Sequence, residues 1–150
     1  MSLLSLEAGT EFRTRVRAMT RERMRWYVDA QPTIGADDGR IHTQEPTIHD
    51  DDEYARSQGL PGIIADGMIS TNWIQGLLID VFGIDFASRS RLKTKYIAPI
   101  YENQKVVACA RVDTVTRDVD GHDIYTLEVW CEDDDTKKKL TVGTARVQIS

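Results

Sequence analysis

The sequence predicts an α+β domain in which an antiparallel sheet wraps around one long buried helix. Residues 68–82 carry apolar side chains on nearly every helical face, which is typical of a helix buried inside a domain. Four strand-like segments follow this helix and are joined by short polar turns, a pattern that favours antiparallel pairing. Because a sheet of this length must bury one face, the helix is expected to pack against it.

Shorter elements precede the helix. Residues 11–18 alternate between arginines and less polar residues, which predicts a half-exposed strand. Thr20 is expected to cap a short helix that runs to about Ala30. Residues 31–47 form a long polar loop, and loops of this length in a compact domain are often functional. Acidic residues 50–52 then begin a second short helix, where they face its positive end.

The segments after the central helix complete the sheet. Strands are predicted over residues 88–97, 105–116, 123–132 and 140–149, with a glycine or charged residues in the turns between the last three. One helix enclosed by a sheet of this kind is the hotdog arrangement. The chain has 150 residues, so we expect a single domain over residues 1–150.

Composition and charge exclude several classes of protein. The net charge is -5 at pH 7, which argues against nucleic acid or an anionic membrane surface as a partner. No apolar run approaches the ~18 residues of a membrane helix, and the first residues lack the basic region of a signal peptide. These features predict a cytoplasmic protein. Cys109 and Cys131 lack metal-binding or redox spacing and are predicted to be buried free thiols.

Residues 47–68, with a histidine followed by acidic residues and then Gly67-Met68, and residues 94–106, with Tyr96 and Pro99, together resemble the family of MaoC-like dehydratases and (R)-specific enoyl-CoA hydratases. In TIHDDDEYARSQGLPGIIADGM, residues 47–68, the family's histidine, the aspartate after it and the Gly-Met pair at the start of the central helix are matched. In TKYIAPIYENQKV, residues 94–106, the family's aromatic-x-x-Pro strand and hairpin are matched, with Asn103 and Gln104 where Gly-Asp is usual. The matched residues are His49, Asp51, Ala55, Gly67, Met68, Tyr96 and Pro99.

The resemblance implies a hotdog fold and reversible addition of water to a 2-enoyl thioester, as in fatty acid metabolism. It also implies an acyl-CoA or acyl-carrier thioester as substrate, a homodimer, and no cofactor. His49 is the expected acid–base residue, since a histidine has an unperturbed pKa near ~6.5. Gly67 and Met68, at the helix N-terminus, are expected to bind the thioester oxygen. Asp51 and Asp66 are expected to support these groups.

One departure from the family pattern concerns the catalytic aspartate. The family has an aspartate five residues before the histidine, and this chain has Gln44 there. We therefore expect the acidic partner of His49 to come from the long loop, with Glu45, Asp37 and Asp38 as candidates. In an alternative register Asp37 lies five residues before His42, but His42 then lacks the correct spacing to the helix that follows.

Other interpretations stay open at this stage. Asp66, directly before Gly67, would suit a hotdog thioesterase, and Gln44 would suit a subunit that binds acyl thioesters without converting them. The basic residues near the N-terminus and over residues 89–95 would suit either a solvated face or the phosphates of CoA or a carrier arm. No metal site is expected, because the histidines and acidic residues show no established ligand spacing.

Overall fold

The computed structural model describes residues 6–30 and 46–149. Among these residues, two short strands and two short helices precede the central helix. A further short helix and four longer strands follow it. The helices are α1 (Arg21–Ala30), α2 (Asp52–Ser57), α3 (Gly67–Phe82) and α4 (Ile84–Ser88), and the strands are β1 (Glu11–Arg13), β2 (Arg17–Ala18), β3 (Ser90–Tyr96), β4 (Lys105–Arg117), β5 (Asp123–Asp133) and β6 (Lys139–Gln148).

The six strands form one antiparallel sheet in the order β1-β4-β5-β6-β3, with β2 also paired to β4. Helix α3 lies against one face of this sheet, where Ile74 and Leu78 are fully buried. Alternate residues of the long strands, such as Val106 and Leu127, fill the same core. The predicted α+β arrangement, a sheet wrapped around one helix, is confirmed.

The predicted strand over residues 11–18 is interrupted between β1 and β2. Thr14 donates its N–H to the Ala108 carbonyl at 2.9 Å, and its hydroxyl accepts the Ala108 N–H at 3.1 Å. The Thr14 hydroxyl thus accepts a hydrogen bond that a main-chain carbonyl would accept in a regular pair of antiparallel strands. Thr20 accepts the Arg23 N–H and caps α1 as predicted. Helix α4 was not predicted, because it has only five residues and follows α3 directly at Gly83.

The prediction that the central helix is buried on nearly every side is wrong for its outer side. Met68 is 43% exposed and Ile79 is 42% exposed. The sheet covers one side of this helix, and the exposed side also carries the polar residues Asn72, Gln75 and Asp80. Met68 and Ile79 are therefore apolar residues on a side of α3 that is otherwise polar and exposed.

The face of the sheet that points away from α3 carries a small cluster of its own. Trp130 is only 5% exposed and packs with Val107 and Cys109. The Lys139 ammonium lies 4.6 Å from the Trp130 ring centroid, a distance typical of a cation–π contact. The Trp130 N–H donates to Glu132 at 2.7 Å. The Lys139 side chain thus covers the Trp130 ring, and the buried Glu132 carboxylate binds the Trp130 N–H.

Both cysteines are free and buried, as predicted. Desolvation raises the pKa of Cys109 to about 11 and that of Cys131 to about 12. The thiolate forms are therefore scarce at neutral pH. Among the described helices, none has the length and apolar character needed to cross a bilayer.

Candidate active site at the start of the central helix

A cavity of about 580 Å³ opens where α3 begins. This volume lies in the range of sites for small molecules. Apolar side chains from residues 60–65 and 96–100 form most of its wall, and the His49 imidazole and the Asp66 carboxylate also line it. Such a combination of an apolar wall and a few convergent polar groups is typical of a substrate site.

The segment that carries His49 is held by main-chain hydrogen bonds. The Ile64 N–H donates to the Ile48 carbonyl at 3.0 Å, and the His49 N–H donates to the Thr47 hydroxyl at 3.1 Å. His49 Nδ1 lies 2.9 Å from the Ile64 carbonyl. Because a carbonyl can only accept, Nδ1 carries the hydrogen. Nε2 is therefore the nitrogen that gains and loses a proton.

The two oxygens of the Asp66 carboxylate have different neighbours. Oδ1 accepts the Met68 N–H at 2.8 Å and caps the N-terminus of α3. Oδ2 lies 3.9 Å from His49 Nε2. This distance is too long for a direct hydrogen bond but short enough for attraction to a protonated imidazole. His49 and Asp66 thus form a histidine–carboxylate pair inside the cavity.

Gly67 begins α3 and lies directly under the Tyr96 ring. A Cβ at this position would come within 2.7 Å of three ring atoms. The Tyr96 hydroxyl is fixed by hydrogen bonds to the Thr71 hydroxyl at 2.9 Å and to the Met68 sulfur at 3.1 Å. The absence of a side chain at Gly67 therefore makes room for this ring.

Arg21 connects three segments behind the site. It binds Glu102 through two hydrogen bonds of 3.0 and 2.6 Å, and its Nη1 lies 2.8 Å from Asp52. Asp52 in turn accepts the Ile63 N–H at 3.0 Å, one residue before the carbonyl that holds His49. The Arg21 guanidinium lowers the pKa of both Asp52 and Glu102. The fork geometry of arginine suits this double contact.

The predicted site residues divide into three groups. His49, Gly67 and Asp66 line the cavity together, while Met68 is adjacent and partly exposed. Asp51 accepts the Tyr54 N–H at 2.8 Å and caps α2. The remaining candidates lie outside the described residues: Asp37, Asp38 and Glu45, together with His42 and Gln44.

The structure explains how Asn103 and Gln104 fit the hairpin in which the family usually has Gly-Asp. Asn103 adopts φ +64°, a conformation in which glycine is favoured and asparagine is tolerated. The Gln104 side chain accepts the Tyr101 N–H at 3.0 Å and donates to Asp133 at 2.8 Å. Both replacements therefore preserve the turn that leads into β4.

No protein-family model and no curated protein matches the sequence. Solved structures do match. An (R)-hydratase from A. caviae involved in PHA biosynthesis has a TM-score of 0.73 at 17% identity, over 98% of this chain and 99% of that chain. A MaoC-like dehydratase from Rhodospirillum rubrum has a TM-score of 0.73 at 16% identity, over 98% and 94%.

A third similar structure is the HadBC (3R-hydroxyacyl-ACP dehydratase) complex from Mycobacterium tuberculosis. It has a TM-score of 0.68 at 16% identity, over 96% of this chain and 98% of that chain. Identities this low establish the architecture and leave the chemistry to the site residues. The chain therefore has the hotdog fold, in the form found in MaoC-like dehydratases and (R)-hydratases.

Proposed function

We propose that this chain is a hydratase or dehydratase of the MaoC-like type that acts on 2-enoyl or 3-hydroxyacyl thioesters. The observation that supports this proposal is the histidine–carboxylate pair, His49 and Asp66, facing an apolar cavity at the N-terminus of α3. The cavity supplies the three parts that the reaction needs. These are a proton carrier, a carboxylate that stabilises the protonated imidazole, and a positive helix end near the thioester.

In hydration, the water oxygen bonds to C3 of the enoyl group while His49 Nε2 accepts one water proton. Negative charge develops on the thioester oxygen, where the positive end of the α3 dipole stabilises it. The imidazolium, attracted by Asp66, then gives its proton to C2. The product carries both parts of one water molecule, and dehydration is the reverse sequence.

The experiment is hydration of crotonyl-CoA, followed by loss of the enoyl absorbance. We expect His49→Ala to lower the rate by about 10²- to 10⁴-fold. Asp66→Asn should lower the rate while α3 stays capped, because asparagine caps helices as well as aspartate does. His122→Ala, in the turn between β4 and β5, is the matched histidine control and should retain full activity. Equal rates for the native protein and His49→Ala would refute the proposal.

The carboxylates of the long loop remain candidates for a share in proton transfer. Asp37→Asn, Asp38→Asn and Glu45→Gln, compared with Asp66→Asn, would rank them by their effect on the hydration rate. A larger loss in one of the loop variants would move the carboxylate function from Asp66 to that residue, with His49 unchanged as the proton carrier.

A thioesterase is the second candidate, because the Asp66 carboxylate faces the cavity beside the helix end. Release of free CoA from a saturated acyl-CoA, abolished by Asp66→Asn, would favour it. Binding of crotonyl-CoA without formation of either product would favour the non-catalytic acyl-binding subunit, with Gln44 as the reason. Each of these outcomes contradicts the hydratase proposal.

We also propose that the chain pairs with a second hotdog chain. HadBC, whose structure is similar, is a complex, and the outer side of α3 is open here. The homodimer expected from the sequence stays a prediction. A cytoplasmic location and a CoA or carrier-protein thioester as substrate also stay predictions.

A further inference from the structure

Tyr96 forms one wall of the cavity at the start of α3. It is the last residue of β3 and lines the cavity together with His49 and Gly67. Its ring lies over Gly67, where a Cβ would come within 2.7 Å of three ring atoms. Among the described residues, the cavity lining includes no residue of β3 before Tyr96 and none of α3 after Gly67. The ring therefore separates the cavity from the contact between β3 and α3 that lies behind it.

Hydrogen bonds hold the Tyr96 ring in this position. Its hydroxyl donates to the Met68 sulfur at 3.1 Å and lies 2.9 Å from the Thr71 hydroxyl. The Thr71 hydroxyl in turn lies 2.8 Å from the Thr94 hydroxyl. Thr71 is only 8% exposed, and a buried hydroxyl that loses its partners is costly. Because movement of the ring would break both contacts of its hydroxyl, the ring is a fixed wall of the cavity.

A path with apolar side chains continues behind the ring. Leu92 and Thr94 share the face of β3 that carries Tyr96, because side chains alternate along a strand. Leu78 shares the side of α3 that carries Thr71, because positions i and i+7 of a helix lie on one side. Leu92 is half-buried and Leu78 is fully buried. We call the strip between Leu92 and Thr94 on β3 and Thr71 and Leu78 on α3 the seam.

A second wall of the cavity is held by main-chain pairing. The Ala65 N–H donates to the Ile100 carbonyl at 2.8 Å, and both residues are buried. Pairing of this kind is not opened by a change of one side chain. An acyl chain placed beside His49 thus meets paired main chain at one wall and a single side chain, Tyr96, at another.

We propose that Tyr96 determines substrate specificity by restricting the cavity to short acyl chains. This inference rests on the proposed function, because it names the class of thioester that the same site accepts. A short 2-enoyl chain fits in front of the ring, whereas the tail of a longer chain needs the seam behind it. Each methylene buried in an apolar environment favours binding about fourfold, so opening the seam should favour long chains over short ones.

The test compares hydration of crotonyl-CoA with that of 2-decenoyl-CoA. We expect the native chain to have the higher kcat/KM for crotonyl-CoA. Tyr96→Ala should raise the ratio of kcat/KM for decenoyl-CoA to kcat/KM for crotonyl-CoA by roughly tenfold or more. A substitution that only weakens the fold would lower both values alike and leave this ratio unchanged. Tyr96→Leu, a smaller reduction in volume, tests the same ratio if the far-UV dichroism shows that Tyr96→Ala does not fold.

Two controls isolate the contribution of the ring. Tyr96→Phe keeps the ring over Gly67 and removes only the hydroxyl, so the native preference for crotonyl-CoA should persist. Tyr54→Ala removes a tyrosine on α2 that lies outside the cavity lining and is 40% exposed, against 46% for Tyr96. It should leave the ratio at the native value. An equal shift in Tyr54→Ala would contradict the proposal, because it would assign the gain to the general surface.

Binding of saturated acyl-CoAs separates this inference from the proposed chemistry. Butyryl-CoA and decanoyl-CoA have no double bond to hydrate, and calorimetry below the micelle concentration measures their affinities. Tyr96→Ala should gain affinity for decanoyl-CoA relative to butyryl-CoA by roughly tenfold or more. If this gain appears in a chain that hydrates neither enoyl-CoA, the hydratase proposal is wrong and the inference about Tyr96 stands.

Three further outcomes would overturn the inference. The first is a native chain that hydrates or binds the long and the short acyl chains equally well. The second is an unchanged ratio in a folded Tyr96→Ala variant. The third is a shift in Tyr96→Phe as large as that in Tyr96→Ala, which would assign the effect to the hydroxyl. Hydration of crotonyl-CoA by the native chain alongside any of these results leaves the hydratase proposal intact, whereas a native chain that binds no acyl-CoA contradicts both proposals.

Discussion

Arg21 shows how one side chain outside the cavity can control the position of the acid–base residue. It joins Glu102 in the hairpin to Asp52 in α2, and Asp52 holds the main chain beside His49. Because the Arg21 side chain is 36% exposed, water screens these ion pairs. We expect Arg21→Met to lower the free energy of unfolding by about 1 kcal/mol and to lower the hydration rate.

Arg21→Lys is the informative comparison, because it retains the positive charge but loses the planar guanidinium group that binds both Glu102 and Asp52. We expect it to restore most of the stability, measured by urea unfolding, and only part of the rate, since a lysine cannot hold both carboxylates in one geometry. An unchanged rate in both variants would show that the position of His49 does not depend on Arg21.

Asn103 is a second residue at which the local backbone gives a prediction. Its φ of +64° is unfavourable for branched side chains. We expect Asn103→Val to lower the free energy of unfolding by about 1–2 kcal/mol, and Asn103→Gly to leave it near the native value. Urea midpoints at neutral pH measure both. Equal midpoints for the two variants would contradict this explanation of the asparagine.

At this scale, a local sequence pattern predicts part of the candidate site. His49 was predicted from a local pattern of residues around it. Asp66 was predicted as a supporting residue or as the carboxylate of a thioesterase. Its position beside His49 depends on contacts between distant segments, such as the hydrogen bond from the Ile64 N–H to the Ile48 carbonyl. The position of the Tyr96 ring over Gly67 likewise depends on how β3 packs along α3. A local sequence pattern cannot predict such packing between elements.

At the scale of elements, Gly143 fixes the pairing of β3 with β6. A Cβ at this position would come within 2.1 Å of the Lys93 carbonyl oxygen, a main-chain atom that cannot move aside alone. We therefore expect Gly143→Ala to disrupt the pairing and to lower the thermal midpoint of unfolding. Gly76→Ala is the control, because a Cβ there meets nothing within 4 Å and alanine favours a helix by about 1 kcal/mol. The prediction fails if the two variants unfold at the same temperature.

The four long strands and the central helix could be predicted because each has a strong local pattern. Apolar residues alternate in β5 and β6, and turn residues separate the strands. What could not be predicted depends on relations between elements. The exposure of Met68 and Ile79 on α3 depends on which elements pack beside the helix. At the break between β1 and β2, the Thr14 hydroxyl accepts a hydrogen bond from a main-chain N–H of β4.

At the scale of the whole molecule, several carboxylates make stability depend on pH. The pKa of Asp133 is lowered by the Thr136 N–H, that of Asp118 by the His122 N–H, and that of Glu128 by Lys139. A carboxyl group whose pKa is lower in the folded state stabilises the protein in its ionised form. This contribution is complete above the ordinary carboxyl pKa of about 4 and is lost as the pH falls through the folded-state value.

We therefore expect the urea midpoint to be nearly constant between pH 7 and about pH 5 and to fall below about pH 4. Glu128→Gln should make this fall shallower, since it removes one of the titrating groups. A midpoint that rises on acidification would show that the favourable contacts of these carboxylates are absent in solution.

The distribution of tryptophans gives the chain two built-in optical reporters. Trp26 on α1 is 63% exposed, while Trp130, beneath the Lys139 ammonium, is 5% exposed. Indole emission shifts to longer wavelength in water, so Trp26 contributes most at the red edge of the fluorescence spectrum and Trp130 at the blue edge, with the half-buried Trp73 between them. Iodide quenches the first and spares the second. Fraying of the N-terminal helix and opening of the sheet can therefore be followed at separate wavelengths in the unmodified protein.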